Sequence, residues 1–308
     1  MSNDVRAHLL GSQAVRSLIG ETRVSDALKV SKWEVSHSCY YRDLSSHKVR
    51  EIDVVASKRW NARDDDSSSV SVNLVIECKT NPGYNIIAAS SSRSAVSAAL
   101  ERVWVVETDR LPLVLQAARN AGILYPTLNE LRKAIIDTAF DDARPSFEVR
   151  PPDAAVHASA FVETNGGTTR ELETSVLWRA VQALGSAVAS LKAQWIDDMV
   201  EEIQVHRIVN EFMGDEPFDR IREYLVSRAR HHKFFHPFVF IESPLWVLKG
   251  SDLEQTSSIR LQFQNAPPTS LSWVDVVAMD QAEQTIETVS TYYFESFTRQ
   301  DAVISPFL

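Results

Sequence analysis

Three strand-like segments follow one another near the start of the chain, and they constrain its fold more than any other feature. They occupy residues 33–43, 48–57 and 71–80, where apolar residues alternate with polar ones or run continuously, as is typical of β-strands. A short polar turn joins the first two, and residues 58–69 are predicted to form a polar hairpin loop before the third. The sequence therefore predicts neighbouring strands connected by hairpins.

The rest of the chain alternates between helical and strand patterns, which predicts an α/β fold. From Leu177 to Trp195 the apolar residues recur every three or four positions, the pattern of a long amphipathic helix. Two short helices precede the first strand, and residues 107–170 contain two further helical segments followed by loops or strand edges. The two short helices are predicted at residues 5–19 and 21–31, the two further helical segments at 111–122 and 128–140, and a closing helix at 282–293. The remaining predicted strands are residues 83–90, 104–106, 236–249, 257–265 and 272–279.

The composition narrows the classes of function. The 308 residues include 32 Lys and Arg against 41 Asp and Glu, a net charge of −9, which argues against a protein that coats nucleic acid indiscriminately. Two cysteines, Cys39 and Cys78, cannot form a disulfide framework or a cysteine-based zinc site. The first residues lack the apolar core of a signal peptide, and no apolar stretch is long enough to span a bilayer. We therefore expect a cytoplasmic protein without a membrane partner.

The segment Glu51-Ile52-Asp53 and the later segment Val75 to Lys79 carry the chemistry. Side chains alternate along a strand, so Glu77 and Lys79 point to one face and Cys78 points to the other. A hairpin can bring Asp53 beside Glu77, and two converging carboxylates repel each other unless a cation lies between them. The pattern therefore predicts a site for a hard cation.

Such a site suits the hydrolysis of phosphodiester bonds. Mg²⁺ binds carboxylate oxygens, polarises a phosphate and lowers the pKa of an attacking water. A neighbouring lysine such as Lys79 can orient that water and offset charge on the phosphate. Glu21 lies on the inward stripe of its predicted helix, from which it can hold a water molecule at the metal.

The signal rests on context as well as on residue types. Lys79 is the one lysine of nine with an acidic residue two places before it, and it ends the most apolar strand of the N-terminal half. The alternative interpretation is a salt bridge between Glu77 and Lys79 on an edge strand, with Asp53 as a turn residue. Cys78 is interpreted as a small core residue, because no base is paired with it.

These residues resemble the restriction-endonuclease-like, PD-(D/E)xK superfamily of nucleases. In that family a glutamate on a helix precedes a β-meander that carries an aspartate and then the E-x-K motif. Ile52-Asp53 matches the "PD" position, with Ile in place of Pro, Glu77-Cys78-Lys79 matches "ExK", and Glu21 matches the helix acid. The specific motifs cover residues 21–80, and no resemblance is found for residues 107–170.

The resemblance implies a mixed β-sheet flanked by helices, with a mostly helical insertion. Residues 1–106 would form the nuclease core, 107–170 an insertion or subdomain, and 171–308 the remainder of the α/β core. It implies Asp53, Glu77, Lys79 and Glu21 as catalytic residues, and Asp53, Glu77 and the Cys78 carbonyl as ligands of Mg²⁺, with Mn²⁺ as an alternative. The implied activity is cleavage of nucleic acid, with DNA favoured over RNA, and bacterial DNA processing or defence is one setting that the resemblance suggests. A nuclease-fold binding or scaffold protein without catalysis is the alternative, and a homodimer or a partner subunit is left open.

An acidic protein that binds a polyanion needs a local basic track. Lys58, Arg59 and Arg63 lie in the predicted hairpin loop next to the Asp53 strand, and we interpret them as the residues that contact nucleic acid. Trp60 in the same loop either stacks on a base or packs on its own hairpin.

Overall fold

A computed structural model describes residues 3–62, 65–81, 83–91, 151–154, 156–213, 231–263 and 271–298. Four α-helices and ten β-strands lie in these ranges, with two short 3₁₀ helices at Leu172–Thr174 and Met279–Gln281. The helices are α1 (Asn3–Gly11), α2 (Gln13–Val30), α3 (Val176–Met213) and α4 (Ala282–Thr298). The strands are β1 (Glu34–Arg42), β2 (Val49–Ala62), β3 (Asp65–Thr80), β4 (Asn85–Ser90), β5 (His157–Thr164), β6 (His231–Glu242), β7 (Leu245–Lys249), β8 (Asp252–Thr256), β9 (Ser258–Gln262) and β10 (Trp273–Ala278).

The described strands form one mixed sheet in the order β1-β2-β3-β6-β10-β9-β5-β4-β7-β8. β1, β2 and β3 are antiparallel neighbours, as the closely spaced segments predicted, whereas β6 pairs in parallel with both β3 and β10. β6 follows β3 by some 150 residues of sequence, so the centre of the sheet is built from distant parts of the chain. The molecule is a mixed α/β structure whose large sheet is flanked by helices.

The hairpin between β2 and β3 is much longer than the sequence predicted. Residues 58–69 were expected to form a loop, but β2 and β3 remain paired as far as Asn61 with Ser69 and Ala62 with Asp65. Trp60 gives the physical reason, because its ring is buried against Trp33 and Phe297 with centroids 6.0 and 5.2 Å away. One large buried side chain fixes the strand although its neighbours are polar.

The break between the first two helices lies at Ser12 and not at residue 20. Ser12 caps α2 by accepting a hydrogen bond from the backbone N–H of Val15 at 3.3 Å. Gly20 continues the helix. It packs closely on Met279 in the 3₁₀ helix that precedes α4, because a Cβ atom at position 20 would lie 2.8 Å from Cε of Met279. Glu21 is consequently in the middle of α2, and it is not a first-turn acid.

Helices pack on the sheet through the apolar stripes that the sequence indicated. In α2 Val24 and Leu28 are buried, and in α4 Ile286, Val289 and Tyr293 are buried. The stripe of α3 is confirmed from residue 177 to residue 188 and includes the buried residues Leu177, Ala180, Val181, Leu184, Ala187 and Val188. Removing such side chains from water supplies about 25 cal/mol per Å² of apolar surface.

A buried polar cluster lies where β6, β9, β10 and α4 meet. His236 contacts Asp275 through Nε2 and Tyr293 through Nδ1, each at 2.8 Å, and Arg260 donates two hydrogen bonds of 2.7 Å to Asp275. Burial alone would raise the pKa of Asp275, but Arg260 and His236 hold it well below its usual range. These partners satisfy the buried charges, so the cluster is a structural feature of the core.

The region predicted as an insertion is described only in part. Residues 104–106 and 107–150 lie outside the described residues, whereas β5 lies inside the sheet between β9 and β4. Glu163 at the end of β5 accepts hydrogen bonds from the backbone N–H groups of Val176 and Leu177 at the start of α3. In the part of the chain that the structure describes, no helix has the length and apolar character needed to cross a membrane.

Candidate active site

The candidate site lies where β2 separates from β3. The ladder between these strands ends at Val54 with Ile76, although β2 stays paired with β1 as far as Val49 and β3 stays paired with β6 as far as Thr80. Continuing the register by one position would set Asp53 opposite Glu77. The separation therefore leaves one edge of β3 without its strand partner, directly beside these two acids.

The Asp53 side chain lies in this opening and accepts a hydrogen bond from β3 where a backbone carbonyl of β2 would otherwise do so. Its Oδ2 accepts a hydrogen bond of 2.7 Å from the backbone N–H of Cys78 and one of 3.1 Å from Nζ of Lys79. The side chain is 18% exposed, so it is shielded but reachable from solvent. A carboxylate held by a backbone N–H and an ammonium group has a fixed position.

Glu77 and Lys79 complete the cluster. The Nζ of Lys79 contacts Oε2 of Glu77 as well as Asp53, and only 3% of the Glu77 side chain is exposed. Burial, with smaller contributions from Asp53 and Glu21, raises the pKa of Glu77 to about 7 against the opposing effect of Lys79. Burial would lower the pKa of Lys79, but Glu77 and Asp53 raise it above its usual value, so Lys79 is a permanent cation.

Glu21 faces the same cluster from α2. It is half-buried, and burial followed by the charge of Asp53 raises its pKa. The hydroxyl of Ser17 lies 3.3 Å from Oε1 of Glu21 and 3.4 Å from the carbonyl oxygen of Cys78. The structure thus brings together all four residues that the sequence indicated as catalytic, on β2, β3 and α2.

The donor atoms at this site have the chemistry of a hard-cation site. Among the described residues, no group of three or more His, Cys, Asp or Glu side chains is arranged to hold a metal ion. Asp53 and Glu77 both contact Nζ of Lys79. Each contact is within the limit of about 4 Å for a salt bridge, so the contacting oxygens of the two carboxylates lie at most about 8 Å apart. The two carboxylates, now paired with Lys79, and the Cys78 carbonyl are oxygen donors, the kind of ligand that Mg²⁺ binds together with several waters.

The thiols have no place in this chemistry. Burial raises the pKa of Cys78 well above its usual value, and Asp53 and Glu21 raise it further. Burial also raises the pKa of Cys39, whose Sγ lies 3.5 Å from the carbonyl oxygen of Ser36. Neither group is an activated thiolate near neutral pH.

The three residues predicted to contact nucleic acid lie in different environments. Nζ of Lys58 donates a hydrogen bond of 2.9 Å to the carbonyl of Ser31 and lies 5.9 and 5.7 Å from the ring centroids of Trp33 and Trp60. Lys58 is thus engaged by contacts within the protein. Trp60 is buried, which contradicts the alternative in which its ring stacks on a base. Arg59 is exposed on the neighbouring position of β2, and Arg63 lies outside the described residues.

Sequence reasoning missed Gln13 and Ser17. Nε2 of Gln13 donates to the carbonyl of Thr80 at 3.1 Å, and Ser17 reaches the carbonyl of Cys78. Together with Glu21 they recur every fourth residue, which places them on one face of α2. That polar spacing, in a helix that also buries Val24 and Leu28, was the signal available in the sequence.

The chain has no significant match among protein-family models, curated proteins or solved structures.

Proposed function

We propose that this chain is a metal-dependent nuclease with a restriction-endonuclease-like fold, which hydrolyses phosphodiester bonds of DNA. The convergence of Asp53, Glu77 and Lys79 at the point where β2 leaves β3 is the observation that carries the proposal. A carboxylate pair bridged by an ammonium group, with a helix carboxylate beside it, is a costly arrangement for a purely structural site. Bacterial DNA processing or defence is the setting that the family resemblance suggests.

In this proposal each residue of the cluster has its own task. Asp53, Glu77 and the carbonyl of Cys78 would hold Mg²⁺ or Mn²⁺. Such an ion supplies polarisation of the phosphate and a lowered pKa for water. Lys79, a permanent cation, would orient the attacking water and offset the negative charge that develops on the phosphate. Glu21 would accept a hydrogen bond from water beside the cluster and so fix its position.

Several contacts support a fixed arrangement of these groups. The Asp53 carboxylate is held by the backbone of β3, and Glu77 lies on the same strand beneath the surface. The position of the reacting groups therefore depends on the sheet and not on a loop. Catalysis by positioning and electrostatics depends on such rigidity.

A panel of labelled substrates tests the proposal. Single- and double-stranded DNA and RNA would each be incubated with the protein in Mg²⁺, in Mn²⁺ and in EDTA, and the products resolved on denaturing gels. We expect cleavage of DNA in Mg²⁺ or Mn²⁺ and none in EDTA. Binding without cleavage under every condition would support the alternative, a nuclease-fold scaffold that lacks catalysis.

A further inference from the structure

Beyond Ile76, β3 is no longer paired with β2, and a polar stripe of α2 formed by Gln13, Ser17 and Glu21 covers this edge. The backbone groups that face α2 and Asp53 there include the carbonyls of Cys78 and Thr80 and the N–H of Cys78. Gln13 donates to the Thr80 carbonyl at 3.1 Å, Ser17 lies 3.4 Å from the Cys78 carbonyl, and the Cys78 N–H goes to Asp53. Buried backbone groups need partners: the α2 stripe supplies them for the two carbonyls, and the Asp53 side chain supplies one for the Cys78 N–H.

Ser17 differs from Gln13 because it also touches a charged group of the candidate site. Its hydroxyl lies 3.3 Å from Oε1 of Glu21 and 3.4 Å from the Cys78 carbonyl, so its single proton is shared between these two acceptors. Glu21 is otherwise destabilised in its charged form, by burial and by the nearby Asp53. Ser17 is thus the direct hydrogen-bonded link between the helix acid and the strand that carries Glu77 and Lys79.

We propose that Ser17 is a positioning residue, which holds the carboxylate of Glu21 against the Cys78 end of β3 so that both face the bound metal and its water. This inference rests on the proposed metal-dependent nuclease function and deepens it. Ser17 would touch neither metal nor substrate and would act through Glu21. Groups of this kind orient metal sites elsewhere, and their loss costs about 10- to 100-fold in metal affinity or activity.

Other contacts anchor α2, so the effect of Ser17 can be separated from helix docking. Arg16 pairs with Glu242, Arg23 pairs with Glu283 at 2.9 Å, and Leu28 is fully buried. Removing one hydroxyl from this helix should leave it in place. A merely structural role of Ser17 would then change the thermal stability, and it would leave metal affinity unchanged.

Ser25 offers a matched control on the same helix. It is fully buried two turns further along, and its hydroxyl has no hydrogen-bond partner among the described residues. Ser17→Ala and Ser25→Ala therefore make the same chemical change in the same helix, one at a hydroxyl that bonds Glu21 and the Cys78 carbonyl and one at a hydroxyl without such a bond. Ser17→Thr keeps a hydroxyl at the site and serves as the conservative variant.

The experiment measures Mn²⁺ binding by the electron paramagnetic resonance signal of the free ion, together with the cleavage rate and the melting temperature. We expect Ser17→Ala to weaken Mn²⁺ binding by about tenfold, and Ser17→Thr and Ser25→Ala to bind like the wild type. Because Ser17 acts through Glu21, the double variant Ser17→Ala with Glu21→Gln should bind no more weakly than Glu21→Gln alone.

The outcomes separate this inference from the proposed function. Wild-type Mn²⁺ affinity and cleavage in Ser17→Ala, with an active wild-type protein, would overturn the role of Ser17 and leave the nuclease proposal standing. Additive losses in the double variant would also overturn it, since Ser17 would then act independently of Glu21. A wild-type protein that neither binds Mn²⁺ nor cleaves any substrate would overturn both.

Discussion

The backbone N–H of Cys78 donates a hydrogen bond to the carboxylate of Asp53, with 2.7 Å between Cys78 N and Asp53 Oδ2. In a regular hairpin an N–H on this side of β3 would pair with a carbonyl of β2, but the ladder between β2 and β3 ends two residues earlier, at Ile76. A side chain thus replaces a backbone partner. The acid is fixed by the same irregularity that opens the sheet for a ligand.

Neutralising Asp53 should lower the cleavage rate more than neutralising Glu21. Asp53→Asn keeps an oxygen that can accept from Cys78 but removes the charge, and we expect the single-turnover cleavage rate to fall by about 10²-fold or more. Glu21→Gln should lower it by about tenfold, as expected for a group that acts through water. Asp26→Asn, an exposed acid of α2, is the control and should cleave like the wild type. Equal losses for Glu21→Gln and Asp53→Asn would contradict this ranking.

Glu77 should make the metal-free protein less stable as the pH rises from about 4.5 to about 7. Burial raises the pKa of Glu77 to about 7 in the folded protein, whereas an unperturbed glutamate ionises near 4.5. In this window the folded state keeps a proton that the unfolded state has released. The free energy of unfolding therefore falls with rising pH, by at most about 1.4 kcal/mol per pH unit.

Urea unfolding in EDTA, across this pH window, measures the effect for the wild type and for Glu77→Gln. The stability of the wild type relative to the variant should decline up to about pH 7 and then level off. A difference that does not change with pH would show that Glu77 ionises normally.

Lys58 and Arg59 should separate stability from nucleic-acid binding. Lys58→Ala removes a hydrogen bond to the Ser31 carbonyl and two contacts with tryptophan rings, and we expect a loss of about 1–2 kcal/mol of stability with unchanged DNA affinity. Arg59→Ala, at an exposed position, should lower DNA affinity and reduce the slope of log K against log salt by about one.

Chemical denaturation and a salt titration of DNA binding measure these two effects. The interpretation is wrong for Lys58 if its variant binds DNA more weakly with an unchanged free energy of unfolding. It is wrong for Arg59 if the salt slope stays that of the wild type.

The cysteines should be dispensable for cleavage. Burial raises the pKa of both thiols, and only the backbone of Cys78 faces the candidate metal ligands. The double variant Cys39→Ser with Cys78→Ala should therefore keep a cleavage rate close to that of the wild type. Loss of cleavage in a folded double variant would point to a role for a thiol.

Local pattern was enough to predict the elements that form the candidate site. The strict alternation around Glu77 and Lys79 and the acid in the preceding strand predicted a shared location, and the structure places these groups in contact. The odd position of Glu21 on an apolar stripe likewise indicated a polar neighbour. The first inference needed the two-residue period of a strand and the second the 3.6-residue period of a helix, and both periods are visible in local sequence.

The parts that sequence reasoning missed depend on distant contacts. Glu77 pairs with Val239 and β6 lies between β3 and β10, relationships that no local pattern encodes. The polar segment around Lys58 was interpreted as a loop because its composition is that of a loop. Packing of Trp60 on Phe297, more than two hundred residues away, overrides that preference.

The most direct test of the central claim is the single-turnover rate of DNA cleavage in Mg²⁺ for the wild type and for Asp53→Ala, Glu77→Ala and Lys79→Ala, with circular dichroism to show that each is folded. If the cluster is a metal-dependent nuclease site, the wild type cleaves in Mg²⁺ and not in EDTA, and each substitution lowers the rate by about 10²-fold or more. Cleavage at the wild-type rate by any of the three folded variants would contradict the account, because the site depends on all three groups acting together.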